Sequence, residues 1–276
     1  MTTTAEIISI GDELLYGQTL DTNAHWISHK LDEYNIKVFQ RTTIGDDADQ
    51  ILNAFATAAE RVDIVLITGG LGPTKDDLTK PLLAKYFGVG MVHHEEVLRD
   101  ITLLFAKASR EVTALNAQQA DLPTNCEKIT NPVGTAPGMW FYENNTVFVA
   151  MPGVPYEMKS IMTQGILPKL HEMFSKGVLH HHIIKTIGIT ESSLSDLIEE
   201  WEVNLPKHIK LAYLPTKGQV KLRMTGSGDD LKTIKQEIDT LQMAIMPKIA
   251  KYVYGFGADS LEGVIGKLLN KNNLTL

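Results

Sequence analysis

The sequence predicts an α/β fold: a three-layer, mostly parallel sheet in residues 1–175, followed by a small α+β module in residues 178–256. Three observations carry this. Short apolar runs alternate with segments of helical spacing through the first half of the chain. Asp63-Ile-Val-Leu-Ile-Thr68 is apolar at consecutive positions, so both of its faces need cover, as in a strand lying between two helical layers. After residue 177 the patterns run β-α-β-β-α-β, the split βαβ arrangement. With 276 residues the chain is long enough for two cores.

In order, Ile7-Ile8-Ser9-Ile10 reads as a buried strand ending at Gly11. Residues 23–34 read as a helix with Trp26, Ile27 and Leu31 on one face. A second strand falls at 36–40. A second helix covers 49–61 through Ile51, Leu52, Phe55 and Ala59. With the strand at 63–68 this is a strand-helix-strand-helix-strand run, whose crossovers are right-handed and whose strands are parallel. Helices are predicted at 76–87, 95–108 and 115–120, then a Pro/Gly-rich stretch at 131–138. Strands follow at 139–142 and 146–150, and a helix at 154–174 interrupted near Gly165 and Pro168. Past Ser175-Lys-Gly177 a strand is predicted at 182–188, a helix at 191–203, and a hairpin of 209–214 and 219–225 around Pro215-Thr-Lys-Gly218. A helix at 229–248, a strand at Val253 and an amphipathic helix at 261–269 complete the order. The ending Leu274-Thr-Leu276 reads as the start of a further strand.

Composition excludes several classes. The formal net charge of −7 argues against broad binding to nucleic acid or an anionic membrane. Cys126 is the sole cysteine, which suits a reducing cytoplasm without disulfides. The first residues show no secretory pattern, and no apolar run reaches the ~20 residues of a membrane helix. A small phosphorylated ligand stays compatible, because a few amides or a metal ion can neutralise it locally.

Four Gly-rich polar loops each follow a strand: Gly11-Asp12-Glu13, Gly45-Asp46-Asp47, Gly69-Gly70-Leu-Gly72-Pro-Thr74, and Pro152-Gly153-Val-Pro155. In a parallel sheet such loops share the carboxyl edge, where open α/β folds bind ligands. Three glycines in four positions let backbone N–H groups approach a phosphate. The spacing predicts that Pro73 and Thr74 open a helix whose N-terminus favours an anion. Thr74 and Asp77 also fit an ordinary capping pair. Two carboxylates, Asp76 and Asp77, beside a phosphate repel it unless a hard divalent cation lies between. Asp12, Asp46, Asp76 and Asp77 are therefore the candidate ligands for Mg²⁺, Mn²⁺ or Co²⁺, with spacing silent on which of Asp76 and Asp77 faces the site. Glu13 is the candidate for activating water, with Asp76 or Asp77. Thr68, Asn116, Gly134 and Thr135 are further candidates for holding the ligand. His180-His-His182 is not a metal tract, because consecutive strand residues face opposite sides.

Taken together, Ser9–Gly17, Asp21–Asn23, Gly45–Asp47, Thr68–Thr74 with Asp76–Thr79, Asn116–Ala120, Gly134–Gly138 and Met151–Met158 resemble the CinA (competence/damage-inducible protein A) family. Its N-terminal domain is similar to the molybdopterin-binding domain of molybdenum-cofactor biosynthesis proteins. The resemblance implies a homodimer and metal-dependent hydrolysis of ADP-ribose to AMP and ribose 5-phosphate. A pterin-binding or adenylyl-transferring role, or non-catalytic nucleotide binding, is the alternative. It further implies that 178–256 is a KH-like connector. Its turn Gly226-Ser-Gly-Asp229, followed by Asp230, has acids where an RNA-binding loop needs cations. Residues 259–276 resemble the start of the family's nicotinamide mononucleotide deamidase domain, and the residues of that chemistry are not among them.

Overall fold

The computed structural model describes residues 3–174 and 177–274, and the chain divides into two compact units, Met1–Ser175 and Lys176–Leu276. The first unit runs β1 (Thr4–Ile10), α1 (Asp12–Leu15), α2 (Thr22–Glu33), β2 (Lys37–Ile44), α3 (Ala48–Ala59), β3 (Ile64–Thr68), α4 (Thr79–Phe87), β4 (Met91–His93), α5 (Glu95–Lys107) and α6 (Ala114–Ala117). It continues with β5 (Asp121–Pro123), β6 (Glu127–Ile129), β7 (Gly138–Glu143), β8 (Thr146–Met151), α7 (Pro155–Ile161) and α8 (Leu167–Phe174).

Six strands form one sheet in the order β2-β1-β3-β8-β7-β6. β2, β1, β3 and β8 are mutually parallel, and β7 and β6 add antiparallel strands at one side. Each buried strand feeds two cores, because successive side chains alternate between faces. Ile8, Val65, Phe55, Leu83 and Phe148 pack on one side, while Ile7, Leu66, Ile27, Val149 and Ile161 pack on the other. This is the three-layer arrangement that the consecutive apolar run of β3 demands.

Between α7 and α8 the chain makes a wide π turn, Met162–Ile166, at the predicted interruption. Gly165 fits there because a Cβ would stand 2.5 Å from Ile129 Cγ2. Pro168 has no N–H to extend the regular ladder. One prediction fails: α4 opens at Thr79, not at Pro73 or Asp76, since residues 72–77 are folded into a turn around Asp77. The small β4–β5 pairing and β6 are also absent from the sequence reading.

The second unit comprises β9 (Val178–Ile187), α9 (Glu191–Val203), β10 (Ile209–Thr216), β11 (Gln219–Gly228), α10 (Leu231–Ile249), β12 (Val253–Phe256) and α11 (Leu261–Lys271). Its sheet has the order β10-β11-β9-β12 and is antiparallel throughout. Ile184, Leu194, Ile198, Leu222, Ile238 and Ile245 close its core against α9 and α10. His181 Nδ1 lies 2.8 Å from Thr225 Oγ1, whereas the His182 ring packs near Phe256, so neighbouring histidines do point apart. The strand expected at 274–276 falls on residues outside those described, apart from Leu274.

Candidate functional site

The loops after β1, β2, β3 and β8 meet at the carboxyl edge of the sheet and line a cleft of about 460 Å³, within the usual range for small-ligand sites. Gly69, Gly70, Gly72, Asp46, Glu13, Asp76, Asp77, Thr135, Pro152 and Gly153 all border it. Loops some 140 residues apart in sequence are thus brought to one place by the parallel topology.

The β3 loop is shaped by two left-handed glycines, Gly69 (φ 108°) and Gly70 (φ 65°). A Cβ on Gly69 would lie 2.1 Å from the Ile10 carbonyl oxygen, and one on Gly70 would lie 2.3 Å from Thr79 Oγ1. Thr79 seals the turn: its N–H donates to Gly70 O (3.0 Å) and its hydroxyl to Gly69 O (2.8 Å).

The two adjacent aspartates part company. Asp77 turns back into the loop, where Oδ1 accepts from the Gly72 N–H (2.7 Å) and Oδ2 from the Thr74 N–H (2.9 Å) and hydroxyl (2.5 Å). The anion received by the amides of Gly72 and Thr74 is therefore the protein's own carboxylate, which corrects the expectation that these amides stand open with a helix starting behind them. Among the described residues, the Gly70 and Leu71 amides make no hydrogen bond within the chain. Asp76 is exposed at the cleft, and Thr74 beside it holds its carboxyl below the usual range.

Across the loop, Asp12 and Asp46 are joined reciprocally: the Asp12 N–H donates to Asp46 Oδ2 (3.1 Å) and the Asp46 N–H to Asp12 Oδ1 (3.3 Å). Burial, reinforced by the negative charges of Asp12, Glu13 and Asp76, raises the Asp46 carboxyl above its ordinary value. Such a wall attracts a cation. Among the described residues, however, no three acidic, histidine or cysteine side chains are grouped so as to hold a metal ion by themselves. The donor chemistry suits a hard divalent cation whose remaining ligands come from a bound phosphate or water.

Other expected residues lie elsewhere. Thr68 is buried; its hydroxyl donates to Pro152 O (3.1 Å) and accepts from Asn23 Nδ2 (3.0 Å), so it ties β3 to β8 beneath the cleft. Asn116 caps α6, accepting from the Thr113 hydroxyl at 2.7 Å, and is not among the cleft residues. Pro155 occupies the first turn of α7. Asp47 caps α3 through the amides of Asp49 and Gln50.

Two residues of the cleft region were missed. Asn23 bridges Thr68 and Gly153 O (2.7 Å), leaving its Oδ1 buried without a partner. Glu157, on the wall formed by α7, reaches back to Asn131, whose Nδ2 donates to Glu157 Oε2 at 2.8 Å. Its carboxyl is raised by burial, against the opposing pull of hydrogen bonds from Asn131 and Tyr156. The Met151-Pro-Gly-Val-Pro-Tyr-Glu-Met158 motif contained Glu157, but helical spacing alone gives no signal that a first-turn glutamate bends into a cleft.

Residues 6–172 match a family profile described as "Probable molybdopterin binding domain", and residues 181–255 one described as "Damage-inducible protein CinA KH domain". A CinA-like protein of Cytophaga hutchinsonii is 48% identical over 99% of this chain and 65% of its own length. One from Flavobacterium psychrophilum is 44% identical over 99% and 66%. The chain thus spans about two thirds of these relatives. The crystal structure of a CinA protein of unknown function from Thermoplasma acidophilum is 33% identical, with a TM-score of 0.55, covering 63% of this chain and 98% of that one.

Proposed function

Because the chain belongs to the CinA-like family, with a molybdopterin-binding-type domain followed by a CinA KH domain, we propose that its first unit binds a phosphorylated pterin or nucleotide in the cleft between β1, β3 and β8. The observation that carries this reading is the β3 loop: the free amides of Gly70 and Leu71 border the cleft, and the glycines allow a phosphate to approach closely. Pro152 and Gly153 form the facing side and Thr135 borders the cleft with them, whereas Gly134, expected there, lines a separate small pocket. Titration calorimetry with molybdopterin and with AMP tests it, with micromolar binding expected for at least one. If neither binds the folded protein, the reading fails. Incubation with molybdopterin and ATP, followed by a search for adenylylated pterin, tests whether binding leads to transfer.

A second reading is favoured by one specific feature, the acidic wall of Glu13, Asp46 and Asp76, with Asp12 bonded to Asp46 beside the cleft. It is metal-dependent hydrolysis of ADP-ribose-like diphosphates to AMP and ribose 5-phosphate. When bound, Mg²⁺, Mn²⁺ or Co²⁺ would neutralise the diphosphate and polarise its phosphoryl oxygens. Asp46 and Asp76, with Asp12 beside them, would hold it, and Glu13, which also borders the cleft, would orient water. Asp77, engaged with the loop, supports the turn instead. Release of AMP from ADP-ribose with any of the three metals supports this reading, and none with all three refutes it. Action in the cytoplasm as a homodimer belongs to the same proposal, and sedimentation of the purified chain tests the dimer.

A further inference from the structure

The acidic wall and the glycine loop account for the phosphate end of the cleft, and neither accounts for Glu157. This carboxyl stands on an arrangement made for it. Asn131 is buried, and both ends of its amide are used: Oδ1 accepts from the Val133 N–H (3.2 Å), while Nδ2 donates to Ala136 O (2.9 Å) and to Glu157 Oε2 (2.8 Å). Neither end is free to swivel, so the donor aimed at Glu157 is fixed. Gly134 lies directly beneath; a Cβ there would sit 1.9 Å from Glu157 Oε2. Any other residue at 134 would displace the carboxyl. The loop 131–136 therefore serves as a platform that holds one glutamate against the cleft.

A salt bridge does not explain it, since among the described residues Glu157 has no cationic partner. Helix capping does not explain it either, because α7 makes no side-chain cap bond and the carboxyl reaches across to another loop. A half-buried acceptor without a cation, bordering the same cleft as the β3 loop that suits phosphate, calls for a ligand that brings its own N–H or O–H donors.

We propose that Glu157 is a specificity-determining residue that accepts hydrogen bonds from paired donors on the non-phosphate part of the ligand, either the vicinal hydroxyls of a ribose or the amino edge of a heterocycle. The inference rests on the phosphate reading of the β3 loop and assigns the other half of the same ligand. Removing the carboxylate then affects the two halves in opposite directions. The phosphate half binds as well or better, because one negative charge has left the cleft. The donor-bearing half binds worse, because a hydrogen bond to a charged acceptor is lost.

The test is calorimetry on the wild-type chain and the shape-conserving Glu157→Gln at fixed Mg²⁺, with four probes: inorganic pyrophosphate, ADP, 2′,3′-dideoxy-ADP and molybdopterin. Melting temperatures control for folding. Pyrophosphate affinity is expected to be unchanged or modestly tighter in Glu157→Gln, while ADP or molybdopterin weakens about tenfold or more. If ribose is the partner, the dideoxy analogue weakens binding to the wild type by a similar factor and loses nothing further in the variant. If a heterocycle edge is the partner, 2′,3′-dideoxy-ADP binds the wild type as ADP does, and the loss in the variant falls on the probes whose base is recognised, molybdopterin or both adenine nucleotides. Equal weakening for all four probes would reduce Glu157 to a structural support and overturn the proposal, as would no change with any. Should pyrophosphate fail to bind either protein, the phosphate reading falls separately, and adenosine and pterin without phosphate decide on Glu157. Should Glu157→Gln fold poorly, Gly134→Ala displaces the same carboxyl while keeping its charge, and weaker ADP or molybdopterin binding with pyrophosphate unchanged is required of it.

Discussion

Asp77 and Cys126 show how much a single side chain's surroundings decide. Asp77 fills with its own charge the part of the β3 loop where the sequence suggested a ligand phosphate. Asp77→Ala removes three hydrogen bonds and leaves the Gly72 and Thr74 amides pointing at water. The expected cost is about 1–2 kcal/mol, in line with the loss of a helix cap. A free anion can then take the vacated place, so inorganic phosphate should raise the melting temperature of Asp77→Ala more than that of the wild type. Equal shifts in both would mean that the loop does not receive anions there. Cys126 is the opposite case, an inert group. Burial pushes its thiol up to about 11 from 9.0, and the Lys80 ammonium nearby offsets only part of this. Thiolate is the reactive form, so a thiol that ionises near 11 holds about a hundredfold less of it near neutral pH than a free one. Alkylation of the native protein at pH 7.5 should run about a hundredfold slower than in denaturant, and should quicken about tenfold per pH unit until the thiol ionises near 11. Fast native labelling at pH 7.5 would contradict this environment.

At the scale of elements, the parallel sheet depends on one buried charge pair. Glu6 on β1 is fully buried and receives two bonds from Arg61, Nε to Oε2 and Nη2 to Oε1, both 2.7 Å, plus the Thr42 hydroxyl of β2 at 2.6 Å. The group ties β1, β2 and the turn after α3. Arg61→Ala leaves the carboxylate buried and uncompensated, and should cost about 3 kcal/mol, at the low end for broken buried pairs because Arg61 is itself partly exposed. Replacing both residues by apolar side chains of similar size should cost much less, as a denaturant melt would show; equal losses would mean that the pair acts through packing alone. This pair also marks the limit of what could be read beforehand. Strands β1, β3 and β8 were legible because being buried on both faces forces consecutive apolar residues. β2 was legible only in part, because an edge strand of Lys37–Ile44 exposes most of its side chains and shows no such run. The four cleft loops were legible because glycine and aspartate after a strand have few other uses. The start of α4 was not, since Pro73-Thr74 has the composition of a helix start while Asp77 holds the segment in a turn. Glu157 stayed hidden because its partner, Asn131, is brought to it only by the packing of β6 and β7 beside β8.

The molecule as a whole is two units, the first with a core on each face of its sheet and the second with a core of its own. Every member of the second unit's core lies between Val178 and Phe256, so that core is built from the second unit's own residues. The acidic excess of the chain lies entirely in residues 1–175, which leaves the second unit with a slight basic surplus. A fragment of residues 177–274 should therefore fold alone, with one cooperative urea transition and a stability of the order of 5 kcal/mol, as usual for about 100 residues. Within that fragment α11 contributes least. Its apolar residues recur at helical spacing, Leu261, Val264, Ile265, Leu268 and Leu269, yet none is fully buried, and Ile265 and Leu268 are 40% and 53% exposed. A stripe that stays half in water returns little of the ordering entropy of its own helix. Ending the fragment after Ser260 retains the Lys185 Nζ bond to Asp259 O and removes only this helix. The shortened fragment should melt within a few degrees of the longer one, with the far-ultraviolet signal reduced by one helix. A drop of more than about 10 °C would place α11 inside the cooperative unit and show that its partly covered face carries more of the fold than its burial indicates.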